Sequence, residues 1–67
     1  MEFSKRLKEL RTENKFSQAK LANLIGVSQK AIDFWEKGIN EPKISYIIEL
    51  SKVFKVTADY LLGIEED

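Results

Sequence analysis

Few side chains in this 67-residue chain are equipped for covalent or metal chemistry. It has no cysteine and no histidine, so thiolate and imidazole ligands, disulfides and the commonest general base are all missing. The one pattern that looks catalytic is Ser17-Gln-Ala-Lys20, the Ser-x-x-Lys spacing in which a lysine helps to activate a serine for acyl transfer. That chemistry needs a buried pocket and an oxyanion hole. Ser17 instead stands where a helix begins, with Leu21, Ala22 and Ile25 following at helical spacing. Its hydroxyl suits a free main-chain amide, and Lys20 suits solvent. The chain is therefore read as a non-enzyme, with no cofactor and no metal site.

The element that positions Ser17 is the informative part of the chain. Residues 17 to 38 read as two short helices joined by a turn with Gly26 at its corner. Glycine enters positive φ without the Cβ penalty, so it can end the first helix and let Val27 turn inward. Ser28 then caps the second helix as Ser17 caps the first. Leu21, Ala22, Ile25, Val27, Ile32 and Trp35 fall on one inner surface, and Ala22 is small enough to let the helices approach. This is a helix-turn-helix, spanning about residues 17–37, and it points to binding of duplex DNA.

Around it the sequence predicts three more helices. Phe3, Leu7 and Leu10 recur at helical spacing among charged residues, giving an amphipathic helix that ends near Asn14. Gly38 marks the end of the third helix and Pro42 forbids its continuation. Ile44, Ile47, Ile48, Leu50 and Phe54 give a fourth apolar face, stopping near Lys55. Thr57 caps a short fifth helix, Ala58 to Leu62, closed by Gly63. The expectation is an all-α, compact five-helix domain over residues 1–67, with residues 64–67 as an acidic tail. A chain this short has a modest stability of about 3–5 kcal/mol resting on its apolar core.

Net charge is zero, which at first argues against a nucleic-acid partner. The average hides a gradient. Residues 1 to 58 carry all eleven Lys and Arg against seven acids, a surplus of four, and Asp59, Glu65, Glu66 and Asp67 cancel it at the end. Charge alone fits a basic binding face and a set of solvated helix faces equally well. No apolar run approaches the roughly 18 residues of a membrane span, and the first residues lack the apolar stretch of a signal peptide. The expected setting is cytoplasmic, with no membrane partner.

With these elements placed, the chain resembles the lambda-repressor-like helix-turn-helix family of phage Cro and repressor domains and their small bacterial relatives (Cro/C1-type, XRE). The motifs that carry the resemblance are Arg-Leu-Lys-Glu-Leu-Arg at 6–11, Phe-Ser-Gln at 16–18, Leu-Ala at 21–22 and Ile-Gly-Val-Ser at 25–28. Ile32, Trp-Glu-Lys-Gly at 35–38, Glu-Pro at 41–42 and Val-Thr-Ala-Asp-Tyr-Leu-Leu-Gly at 56–63 complete it. The resemblance implies a third helix in the major groove and base-reading roles for Gln29, Lys30, Asp33 and Phe34. Gln29 can pair with adenine N6 and N7, and Lys30 can donate to guanine O6 and N7. Phe34 stands where the family more usually has a polar residue. It fits either a thymine methyl or the core. Asp33 can accept from cytosine N4 or tie down a neighbouring side chain.

For the DNA backbone, the resemblance implies Ser17, Gln18, Ser28, Lys37, Asn40 and Lys43, where helix starts and lysines face phosphate. Lys37 and Lys43 read equally as solvent-facing charges. Gly26 and Trp35 are structural, and relatives pair Arg11 with Glu36 to join the first helix to the third. Lys15 and Lys55 depart from the Gly or Asn common between helices in the family; if left-handed, each costs about 1 kcal/mol.

The function implied is a sequence-specific transcriptional regulator, a repressor, reading an inverted-repeat operator as a homodimer. Tyr46, Ile48, Tyr60 and Leu62 are candidates for the dimer interface or for the core. A second class, a protein-interaction module such as an antitoxin, is favoured by zero net charge, Asp33, Phe34 and the outlying apolar residues Leu24 and Ile39.

Overall fold

The computed structural model describes residues 2–64. Five helices follow one another: α1 Glu2–Glu13, α2 Gln18–Ile25, α3 Gln29–Lys37, α4 Ile44–Phe54 and α5 Ala58–Leu62. No strand occurs among the described residues. The expected acidic tail lies, apart from Ile64, outside them.

Capping chemistry sets the starts of α2, α3 and α5. Ser17, Ser28 and Thr57 sit in extended backbone, and each side-chain oxygen accepts from the amide three residues on, Lys20, Ala31 and Tyr60, at 3.0, 3.1 and 3.0 Å. Every helix then ends on a left-handed residue. At Gly26, Gly38 and Gly63 that residue is glycine, but at Lys15 and Lys55 it is lysine, with φ of 60° and 57°. The end of α1 shows why the chain accepts this strain. The Lys15 amide donates to the Thr12 carbonyl and the Phe16 amide to the Arg11 carbonyl, which satisfies two orphan helix carbonyls. Phe16 is thereby turned back onto the core, where its ring lies 6.2 Å from that of Phe54.

The five largest fully buried side chains come one from each helix: Leu7, Leu21, Ile32, Leu50 and Leu61. Fully burying a side chain of this size is worth about 1.5–3 kcal/mol, so the core holds all five elements at once. α1 packs on α3 and α5, α2 on α3 and α4, and α4 on α5. Ala22 is buried at the helix-turn-helix corner, and Val27 packs partly buried against the core as the turn predicts.

The apolar face of α4 is buried only in part. Ile47, Leu50 and Phe54 are buried, but Ile44 and Ile48 are not: they are 79% and 47% exposed. The buried stripe is narrow, and at about 100° per residue Ile48 stands a quarter-turn away from Ile47. Ile44 opens the helix where no neighbouring element among the described residues covers it.

Candidate nucleic-acid interface

The corner between α2 and α3 is built around Gly26, which has φ of 78° and no atom within 4 Å of a Cβ built on it. Conformation, and not space, calls for glycine there. The turn aims α3 outward while Ile32 and Trp35 hold its inner side in the core, Trp35 meeting Tyr46 at 5.7 Å between ring centroids.

A second fastening crosses from α1. Arg11 Nε donates to Glu36 Oε2 at 2.5 Å, Nη2 to Glu36 Oε1 at 3.1 Å, and Nη1 to the Phe16 carbonyl at 2.8 Å. The Glu36 and Arg11 side chains are only 4% and 12% exposed, so this bidentate pair is a buried one. The Glu36 hydrogen bond holds the Arg11 guanidinium above its usual pKa. The geometry agrees with the pairing that the resemblance implied, and it ties the α1–α2 loop to α3 in one network.

The network continues to Gln18. Its Nε2 donates to Glu36 Oε1 at 3.1 Å and to Asp33 Oδ1 at 3.3 Å. Asp33 Oδ2 in turn takes Lys37 Nζ at 2.9 Å. Lys37 and then Gln18, both donating to it, hold the Asp33 carboxyl below the usual carboxylate range. Of the two roles open to Asp33, the geometry shows the tie: each of its oxygens accepts from a neighbouring side chain.

The other candidates divide cleanly. Gln29 and Lys30 stand exposed on the first turn of α3 and line, with Gln18 and Asp33, one open depression of about 460 Å³. Phe34 is half-buried but lies outside the core cluster; Lys30 Nζ sits 5.7 Å over its ring, a cation–π spacing. The core alternative for Phe34 is thus set aside. Ser17, Ser28, Asn40 and Lys43 are exposed at helix starts and in the α3–α4 loop, and Lys37 is exposed beyond its bridge to Asp33. The capping oxygens of Ser17 and Ser28 accept main-chain amides, which leaves each hydroxyl a hydrogen to give to an anion.

Two features were not visible in the sequence. One is the pair of donations from Gln18, which needs the approach of α2 to α3. The other is an apolar groove of about 440 Å³ on α4 and α5, lined by Pro42, Ile44, Ile48 and Leu62 with Phe3 and Ile47 at its floor. Among the interface candidates, Ile48 and Leu62 open onto it, whereas Tyr46 and Tyr60 are partly buried against the core. The Tyr60 ring is covered by the Arg6 guanidinium at 4.3 Å.

A capped helix, a glycine corner and a second helix with an outward polar face define a helix-turn-helix domain. Residues 7–61 match the family model described as helix-turn-helix, and the chain belongs to that family. It is 42% identical over 66 residues to the HTH-type transcriptional activator BcrR of Enterococcus faecalis, covering 98% of this chain and 32% of BcrR. It is 39% identical over 57 residues to Repressor protein C2 of Salmonella phage P22, covering 85% of this chain and 26% of that protein. The solved P22 c2 repressor in complex with a synthetic operator superposes with a TM-score of 0.90 at 34% identity, covering 97% of this chain and 98% of that one. The chain thus spans between a quarter and a third of these two curated relatives. Among the described residues, no helix is long and apolar enough to cross a membrane.

Proposed function

We propose that this domain is the DNA-reading part of a transcriptional regulator, acting in the cytoplasm without enzymatic activity and repressing by occupying its operator. The observation that carries the reading is the outward face of α3. Gln29, Lys30 and Phe34 project from a helix held on its inner side by Ile32 and Trp35 and from the flank by the Arg11–Glu36 pair. A rigid helix with short polar groups on its first turn is what major-groove recognition requires. Gln29 reads an adenine edge, Lys30 a guanine edge, and Phe34 packs on a thymine methyl. Ser17, Ser28, Asn40 and Lys43 hold phosphates, with the free main-chain amides of α2 adding the positive end of a helix dipole. Lys37, exposed beyond its bridge to Asp33, adds its charge beside them.

The DNA complex is a homodimer on an inverted repeat. A single module reads few bases, whereas specific sites call for affinities of about 10⁻⁸ M or tighter. The groove on α4 and α5 supplies the contact. A second copy seated on Ile44, Ile48 and Leu62 buries apolar surface to which α3 contributes no residue, which leaves both reading helices free. Half-sites then fall about one helical turn apart.

The test sets base reading against backbone contact by titrating variants on specific and scrambled duplexes at several salt concentrations. Gln29→Ala should cost about 1–3 kcal/mol on the preferred site and relax the choice at one base pair. Lys43→Ala should weaken all duplexes alike and reduce the salt slope by about one unit per site. Retained discrimination in Gln29→Ala would remove α3 as the reader. A parent protein with no preference among selected duplexes would favour a protein partner instead, with Leu24 and Ile39, 45% and 59% exposed, as its first contacts.

A further inference from the structure

Gln18 stands at the start of α2, where a phosphate contact through its side chain is the obvious assignment, but the hydrogen bonds leave it nothing to donate. A primary amide has two N–H groups and one oxygen. Both N–H groups of Gln18 are in use, one on Glu36 Oε1 and one on Asp33 Oδ1. Turning the amide over would set its oxygen against two carboxylates, each already fixed from its other side by Arg11 or Lys37. Its polarity is therefore locked, and no protein donor among the described residues reaches its Oε1. A phosphate offers only acceptor oxygens and finds no partner in this side chain, although the main-chain amides of α2 remain available to one.

We propose that Gln18 is a base-reading residue that accepts a hydrogen bond from an exocyclic amino group in the major groove, adenine N6 or cytosine N4, with Asp33 as the positioning residue that fixes its polarity. Gln18 lines the same depression as Gln29 and Lys30, the ground that α3 reads. The site then discriminates by sign. Amino groups, which only donate, match it, and guanine O6, guanine N7 and thymine O4, which only accept, are repelled. Asp33 thereby contributes to specificity without touching DNA. This inference rests on the DNA-reading function proposed above.

The experiment uses duplexes selected by the protein from a random pool. In these, each adenine in turn is replaced by purine and each cytosine by pyrimidin-2-one, which removes the amino group alone. The parent should lose about three- to tenfold affinity at one such position beyond those read by α3, the scale of one hydrogen bond. Gln18→Ala should bind the intact site correspondingly less well and show no further loss when that amino group is removed. Asp33→Asn keeps the side-chain shape but lets Gln18 turn over. It should lose discrimination at the same base pair while binding nonspecific DNA as well as the parent or better, since a negative charge is gone. The proposal is overturned if Gln18→Ala weakens selected and scrambled duplexes by the same factor with a shallower salt dependence, which is phosphate contact. It is also overturned if every amino-group deletion affects parent and Gln18→Ala equally. Should the parent select no preferred duplex, the DNA-reading function itself falls, an outcome distinct from either of these.

Discussion

The two ends of the molecule spend their surface differently. At the α2–α3 corner, polar groups form a closed chain in which Arg11, Glu36, Gln18, Asp33 and Lys37 satisfy one another, and very little is left over. At the α4–α5 face, Pro42, Ile44, Ile48 and Leu62 leave apolar area that no neighbouring element among the described residues covers. The first arrangement specifies direction, because hydrogen bonds have donors, acceptors and angles. The second specifies only contact, since apolar attraction scales with area and has no direction. A corner that must present fixed atoms to base edges needs the first, and a face that joins two copies can rely on the second.

The comparison breaks most severely at Glu36. Its removal leaves a guanidinium in a site with little solvent, and breaking one side of a buried pair costs about 3–5 kcal/mol, close to the whole stability expected of so small a domain. A urea melt of Glu36→Ala should show a large loss or no folded baseline. A loss within about 0.5 kcal/mol would mean that the pair behaves as a surface bridge.

On the opposite face, Ile48→Glu should leave the monomer's melt nearly unchanged, because surface substitutions usually stay within about 0.5 kcal/mol. It should instead disrupt association: burying an isoleucine is worth about 1.5–3 kcal/mol, and a two-fold interface uses it twice. Sedimentation of the parent and the variant, alone and on an inverted repeat, reads this directly. Unchanged self-association and unchanged affinity for the repeat would free the groove from the dimer.

The smallest expected effect sharpens the role of the helix ends. Lys15 holds a left-handed conformation that glycine adopts without penalty, so Lys15→Gly should gain about 0.5–1 kcal/mol in a thermal or urea melt. A loss would show that the lysine stem contributes packing that outweighs the backbone strain.

The sequence by itself determined the helices, because their signals are local. A Ser or Thr cap, a glycine or polar stop and an apolar period of three to four act within one or two turns, and α2, α3 and α5 lie where Ser17, Ser28, Thr57 and the glycines place them. The apolar period also marked Leu7, Leu21, Ile32 and Leu50 as inner-face positions, whereas on the short α5 it did not single out the buried Leu61. The pairing of Arg11 with Glu36 was legible only through resemblance, since 25 residues separate the partners and nothing local links them. What tertiary structure alone decided is where each face ends and which valences remain. Ile44 and Ile48 share the apolar period of α4, but coverage depends on how far α5 reaches across it. Asp33 and Gln18 look like open hydrogen-bonding groups in the sequence, and only the approach of α2 to α3 uses their oxygens and hydrogens. Periodicity is a property of one helix, whereas burial and hydrogen-bond satisfaction are properties of two surfaces brought together.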